Sequence, residues 1–474
     1  MRKLFWLLVF IACCPVQFIA QSVFFESKIG GRWSDQASAV KEIGGDKIYV
    51  CGYSDSVSQN GLYDPVLLKL NRFGGTEWTK YFSSAEDDYA FSFSVLRDGK
   101  LIIIGEVNTG GPDAVDALLL KADTAGNIIW KKNFGGPGAQ SLQFIDTTSD
   151  GNLIACGYAA SPSGDNDLFV TKLDTSGNIL WQKLQGGNQT DYGDAIREVP
   201  GGYVASAVTS SFGGGSTDGW LLRLNGNGDT SWTRTSGDQF AGGCQGVTIL
   251  KTGDYILFGE EETFFGSGFN FWMAKYDDTG FLLWKKNFGG NGSDAIFSLV
   301  EDSLGNLIAA GYSNSFNFGA PLDLIVFKTD SSGNIIWKKT YGGSGVDIAY
   351  EMVPSVWGGY IITGVYKDPV LLAQYYVLHV DSTGGVLQDV FIPQNESGCT
   401  VFPIPSSGSI TIDFPAFSGE VVTTLTDVSG NLICRSNLSA DKKINVEGLP
   451  SGIYFLRIKT SDTAVVKKII VSNE

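Results

Sequence analysis

Apolar and polar residues alternate in short runs along this chain, not in helical periods. In one stretch the runs are DAIFSLV from Asp294, NLIAAGY from Asn306, DLIVFK from Asp323 and IIWKK from Ile335. They are rich in β-branched and aromatic side chains and are bounded by Gly, Asn and Asp, which predicts strands joined by tight turns. The segment DSSGNIIW from Asp330 to Trp337 carries its own turn chemistry. The Asp side chain can bond backbone amides across the loop, and the Gly supplies positive φ.

The pattern recurs as DTAGNIIW from Asp123 and DTSGNILW from Asp174, with weaker copies beginning at Asn71, Asn225, Asp277 and Asp381. Its Trp falls at Trp78, Trp130, Trp181, Trp232, Trp284 and Trp337, with Gln388 in the seventh slot. The spacings are 52, 51, 51, 52, 53 and 51 residues. Four strands per unit in constant register predict an all-β fold, a seven-bladed β-propeller of four-stranded blades. Phe25 occupies the Trp slot of an eighth, partial copy, and Ile29 precedes Gly30-Gly31 as Phe134 precedes Gly135-Gly136. Two chain segments therefore compete for the strand that closes one ring and removes its open edge.

Several residue columns run through the repeat. The Trp column reads as packing between blades. A basic column comprises Lys69, Lys121, Lys172, Arg223, Lys275, Lys328 and His379. Five residues before each stand Asp64, Asp116, Asp167, Asp218, Asn270, Asp323 and Gln374. Charges in register with a fold serve most simply as ion pairs and turn caps. A further column, four residues after each Gly-Gly position, holds Asp35, Asp88, Gln140, Asp191, Gly242, Asp294 and Asp347. The Gly-Gly stretch leads from the outer strand of one blade to the inner strand of the next. These positions should therefore circle one mouth of the central channel. Asp35, Asp88, Asp191, Asp294 and Asp347 are the candidate ligand-binding residues, a negative funnel for a cation, an amine or the hydroxyls of a glycan. The competing reading is that each caps its own turn or ties neighbouring blades.

Arg2 and Lys3 precede the apolar run Leu4 to Ala12, which is too short to span a bilayer. This predicts a signal peptide over 1–20 with cleavage near Ala20; lipidation at Cys13 is the alternative. No later run is long enough for a transmembrane helix. The 474 residues are 43% hydrophobic and 18% charged, with 61 Gly and a net charge of −16. Such acidity opposes binding to nucleic acid or anionic membrane. Cys51 and Cys156 share one repeat position and read as buried apolar side chains, Cys244 has no evident partner, and Cys399 and Cys434 could pair in an oxidising compartment.

Signals for catalysis are weak, and no catalytic or metal-binding residue is assigned. His379 is the sole His and lies inside a strand, which removes His-based triads and multi-His metal centres. Gly213 to Gly215 lack the strand-to-helix setting of a phosphate loop. Asn225 to Asp229 (NGNGD) has the composition of a calcium loop without its distal Glu. No cofactor is identified, and calcium is the one left open.

Two resemblances add to this. The Gly-Gly pair followed by Asp, the run NLIAAGYS at 306–313 and the spacing Lys-x-Asp-x-x-Gly-x-x-x-Trp resemble the bacterial β-propeller repeat family SBBP over residues 25–390. That resemblance implies a fold and no single activity. VFPIPSSG at 401–408, LPSGIYFL at 449–456 and VKKIIV at 466–471 resemble the type A C-terminal sorting domain of type IX secretion. Phe402 stands where that family has Tyr, and Ile404 where it has Asn. The resemblance implies a small Ig-like β-sandwich, recognised by the type IX secretion machinery at the outer membrane of a Bacteroidota-type bacterium.

The expected plan is a signal peptide at 1–20, the propeller at 22–391, a linker at 392–398 and the sorting domain at 399–474. The expected role is a secreted or cell-surface, non-catalytic binding or adhesion scaffold for glycans or matrix polymers. The alternatives are a carbohydrate-active enzyme using channel-mouth carboxylates and a passive structural or assembly component. Even repeat lengths argue against an elaborated active site.

Overall fold

The computed structural model describes residues 24–472 apart from 31–33, 56–60, 84–85, 111–114, 238–239, 263–267, 317–320, 368–371, 387–399, 403–405, 407, 414–420, 428–431, 439–441, 451 and 460–463. The signal peptide, the linker and the Cys399–Cys434 pairing fall outside the described residues, which contain no helix. Seven four-stranded antiparallel sheets form the first part of the chain. In blade 4 the strands run Asp191–Val199, Gly202–Thr209, Asp218–Asn225 and Thr230–Ser236 from inside to outside. The inner strands pack on one another in sequence and the last packs on the first, so the sheets close into a ring. The sequence count of seven blades holds.

Each blade buries both faces against its neighbours, which is why its middle strands read as nearly continuous apolar runs. The core is accordingly divided among the blade interfaces. Ile102, Ile104 and Leu119 of blade 2 pack with Leu142, Leu153 and Phe169 of blade 3, with Trp130 laid against them. The Trp column does pack between blades. The Trp130 ring rests on Gly177 in the hairpin of the next blade, and the Trp181 ring on Gly228. In that hairpin Asp174 accepts the backbone N–H groups of Ser176 and Asn178 at 2.8 and 2.9 Å.

The competition for the closing strand goes to the N-terminal segment. Phe25–Ile29 pairs antiparallel with Ala373–Val380 and becomes the outer strand of blade 7. Phe25 sits opposite His379, as Trp181 sits opposite Lys172. His379 is fully buried, with Phe24, Phe25 and Trp357 around its ring and its Nε2 2.9 Å from the Gly358 carbonyl. An aromatic side chain at the Trp position fills this interface. Gln388, the rival residue, lies outside the described residues.

One irregularity is common to all seven blades. The pairing of each inner strand slips by one residue at the same place, between Ala37 and Ala39 in blade 1 and between Gly193 and Ala195 in blade 4. A bulge of this kind bends the strand and re-aims one side chain. It also brings the backbones together. A Cβ on Gly157, opposite the bulge of blade 3, would stand 2.1 Å from the Ser141 carbonyl oxygen.

The C-terminal residues form two small sheets. Thr400–Phe402, Ser409–Asp413 and Lys443–Asn445 make one. Leu432–Asn437, Val422–Asp427, Gly452–Lys459 and Ala464–Val471 make the other, in that order. Ile410, Ile412 and Ile444 share one core with Leu425, Leu456, Ile458 and Ile469.

Candidate ligand-binding site

The five candidate carboxylates stand at the first residue of their inner strands, at symmetry-related positions around the ring. All five are buried, none more than 3% exposed. Asp191 Oδ2 accepts the Gly187 N–H and the Ser211 hydroxyl, both at 2.9 Å. Asp294 accepts the Gly290 N–H at 3.1 Å, the Ser315 hydroxyl at 2.6 Å and the Ser313 hydroxyl. Asp347 accepts the N–H groups of Gly343 at 2.7 Å and Lys367 at 3.2 Å, and Asp88 meets the Lys131 ammonium at 3.1 Å. Asp35 lies against Gly30, where a Cβ would come within 2.3 Å of its Oδ2.

The basic column bonds elsewhere than to the acids five residues before it. Lys172, Lys275 and Lys328 reach Asp150, Asp254 and Asp302 in the hairpin between the first two strands of their own blades, at 2.6, 2.9 and 2.7 Å. Arg223 and Lys121 donate instead to the backbone carbonyls of Pro200 and Thr175. The calcium-like stretch from Asn225 to Asp229 is an ordinary hairpin of blade 4. Asn225 caps the N–H of Asn227 and of Asp229, and Asp229 holds Lys183 at 2.7 Å. Among the described residues no three His, Cys, Asp or Glu side chains converge as metal ligands.

The bulges build a different ring. Each inner strand is the terminal strand of its sheet, so one of its edges is unpaired and faces the ring axis. The extra residues are Ser38, Phe91, Gln143, Asp194, Gln245, Phe297 and Tyr350, three positions after the Asp column. All seven are half-buried. On the side of blades 6, 7, 1 and 2 they are largely aromatic. The rings of Phe297 and Tyr350 lie 5.4 Å apart, and Phe91 stacks with Tyr89, which in turn meets Tyr53 at 4.9 Å.

On the side of blades 3, 4 and 5 they are amides and an acid. Gln143 Nε2 donates to the Ser141 hydroxyl at 2.8 Å, and the Cys244 thiol donates to Asp194 at 3.3 Å. Burial pushes the Asp194 carboxyl up to about 8 against the single thiol contact that opposes it. At neutral pH Asp194 therefore carries its proton and can donate a hydrogen bond. Glu106 and Glu260 are also pushed upward by burial. Each takes a tyrosine hydroxyl from the next blade, Tyr158 at 3.3 Å and Tyr312 at 3.5 Å.

An aromatic arc facing an uncharged hydrogen-bonding arc suits a ligand with one apolar and one hydroxylated aspect. Sequence reading passed over this ring because its column changes in type from blade to blade and holds a single acid. The signal was present all the same. Constant columns are scaffold, and this column changes from blade to blade within an otherwise regular repeat.

Comparison with known proteins decides the identity of the C-terminal unit. Residues 400–472 match the family described as the secretion system C-terminal sorting domain. This unit is a type IX sorting domain. The sorting domain accounts for the two small sheets and marks the chain for delivery to the cell surface or beyond. The propeller part is less closely matched. Regulatory protein FlaEY of Caulobacter vibrioides is 26% identical over 194 residues, 36% of this chain; the chain spans a fifth of that protein's length. PorZ, a surface component of the type IX secretion system of Porphyromonas gingivalis, is 10% identical over 90% of this chain and 68% of PorZ, with a TM-score of 0.35. The propeller domain of the Trilobed protease of Pyrococcus furiosus is 10% identical over 77% of this chain and 98% of that domain, with a TM-score of 0.44. The propeller assignment rests on the seven sheets themselves.

Proposed function

We propose that the protein is a non-catalytic binding propeller, exported by type IX secretion after removal of residues 1–20, whose ligand is a glycan or related hydroxylated matrix polymer. The observation that carries this is the ring of bulged residues, aromatic on one side and hydrogen-bonding without net charge on the other. Sugar rings present an apolar C–H face and polar edges, which match those two arcs. The carboxylates that an enzymatic reading would need are buried and bonded within the scaffold. No helix among the described residues is long and apolar enough to cross a membrane.

The test is a glycan array on the secreted chain, followed by calorimetry with any hit. Phe297→Ala and Gln143→Ala should each weaken binding about tenfold or more while shifting the melting temperature little. Unchanged binding in both variants would remove the ring from consideration. Turnover of the bound polysaccharide would establish the enzymatic reading instead. For the export step, deletion of residues 395–474 should leave a folded propeller retained inside the cell envelope, and normal surface delivery of that truncation would refute the route.

A further inference from the structure

The blade junctions hold buried acids that the proposed binding ring does not use. At the junction of blades 3 and 4, Gly186 sits between Asp167 of one blade and Asp191 of the next. A Cβ on Gly186 would lie 2.0 Å from Asp167 Oδ1 and 2.7 Å from Asp191 Oδ2, so the two carboxylates crowd a single point. Asp167 is 8% exposed and Asp191 fully buried. Asp191 Oδ2 takes the Gly187 N–H and the Ser211 hydroxyl, while Oδ1 of each acid has no hydrogen-bond partner. Among the described residues no cation is recorded acting on Asp167. The charged groups acting on Asp167 are Asp165 and Asp191. Asp165 is turned to the hydroxyls of Ser161 and Ser163, and Lys183 of the adjoining outer strand is engaged with Asp229. Like charges so placed repel, and that repulsion favours the protonated form of Asp167.

The remaining junctions differ in what stands at the two positions. Between blades 1 and 2, where Asp64 and Asp88 hold the two equivalent positions, the Lys131 ammonium bonds Asp88 and the Ser83 hydroxyl bonds Asp64. Two other junctions place an amide side chain where the second acid would stand, Gln140 beside Asp116 and Asn270 beside Asp294, and a third has Gln374 at the position paired with Asp35. Between blades 4 and 5, Asp218 is followed by Gly242 and there is one acid only. The junction of blades 6 and 7 also carries two acids, Asp323 and Asp347, and there Asp347 accepts the backbone N–H groups of Gly343 and Lys367.

We propose that Asp167, crowded against Asp191 at Gly186, keeps a proton in the folded chain, which makes the seam between blades 3 and 4 a pH-sensitive joint of the ring. The proton removes one of the two like charges that crowd Gly186. Burial, with the charges of Asp165 and Asp191, pushes Asp167 up to about 6. The native seam keeps its proton where the unfolded chain has lost it, so the seam weakens as pH rises from about 4 to about 6.

The experiment follows melting temperature from pH 5 to pH 7.5 for the full chain and for Asp167→Asn and Asp191→Asn. Asp167→Asn should raise the melting temperature at pH 7.5 by about 2–4 °C and flatten the pH dependence. Hydrogen exchange on the unaltered protein needs no variant. Protection of residues 186–191 should fall between pH 5 and 7.5 relative to residues 135–140, the junction with an amide. Equal protection of the two segments at both pH values would overturn the proposal. So would a calcium-induced rise in melting temperature at pH 7.5 that Asp167→Asn abolishes, because a cation would then bridge the acids.

Discussion

Aspartate plays opposite parts at two places in the same blade. In the hairpins before the outer strands, Asp123, Asp174 and Asp330 are partly exposed, and each accepts two backbone N–H groups and one Asn side-chain amide. Those bonds hold the Asp123 and Asp330 carboxyls below their ordinary value, and they do the same at Asp174 although partial burial opposes them. Around the ring axis the direction reverses. Burial pushes Asp347 up to about 6 against two backbone N–H groups, and Asp194 up to about 8 against one thiol. The depth of burial, set against the donors that reach the carboxylate, decides its direction, not its residue type or its regular place in the repeat.

The comparison can be broken first at the rim, where packing dominates. Trp181 rests on Gly228 and meets Tyr203 of the next blade edge-on at 5.8 Å. Trp181→Ala should cost roughly 3–5 kcal/mol in chemical unfolding, as large aromatic truncations do. A variant that unfolds like the parent would mean that the Trp rings are a surface platform and not the joint between blades.

Next in size is Asp302→Ala. Asp302 holds Lys328 at 2.7 Å and accepts the N–H groups of Leu304 and Asn306. Burial opposes its ionisation, but these partners win and bring it down to about 2. The substitution should cost about 1–2 kcal/mol at neutral pH. Because the native value is depressed, that stabilisation is present above about pH 4 and is lost as pH falls toward 2. A loss that persists undiminished at pH 2 would show that shape, and not charge, is what Asp302 supplies.

The smallest expected effect has the opposite sign. Asp323 is pushed upward by burial, its Oδ1 lacks a partner, and blade 5 already carries Asn270 at the same place. Asp323→Asn should be neutral or slightly stabilising at pH 7.5, with the difference shrinking as pH is lowered and the parent's Asp323 takes up its proton. Destabilisation at pH 7.5 would end the distinction between rim and axis.

Much of this was legible beforehand, for reasons that lie in particular residues. Seven Trp-slot residues at spacings of 51 to 53 gave the blade count, because the hairpin turn and its Trp must recur wherever a blade meets the next. The sorting domain was legible because its motifs at 401–408, 449–456 and 466–471 are local. The Asp column was visible as a column, and its circular arrangement followed from symmetry. Its burial did not, since an Asp that caps a glycine turn and one that lines a channel look the same in sequence. The bulged residues were missed because a bulge changes the direction of a side chain without leaving a fixed residue type.

The sequence by itself determined the all-β class, the seven units, the separate C-terminal module and the residues that make each hairpin. These depend on contacts within about fifty residues and on repetition of the same local chemistry. Only the tertiary structure decided which strand closes the ring, since Phe25 must travel to the far end of the chain to meet His379. It also decided which acids meet. Asp167 and Asp191 lie on different blades, and only ring closure sets the blades at the spacing that presses both carboxylates against Gly186.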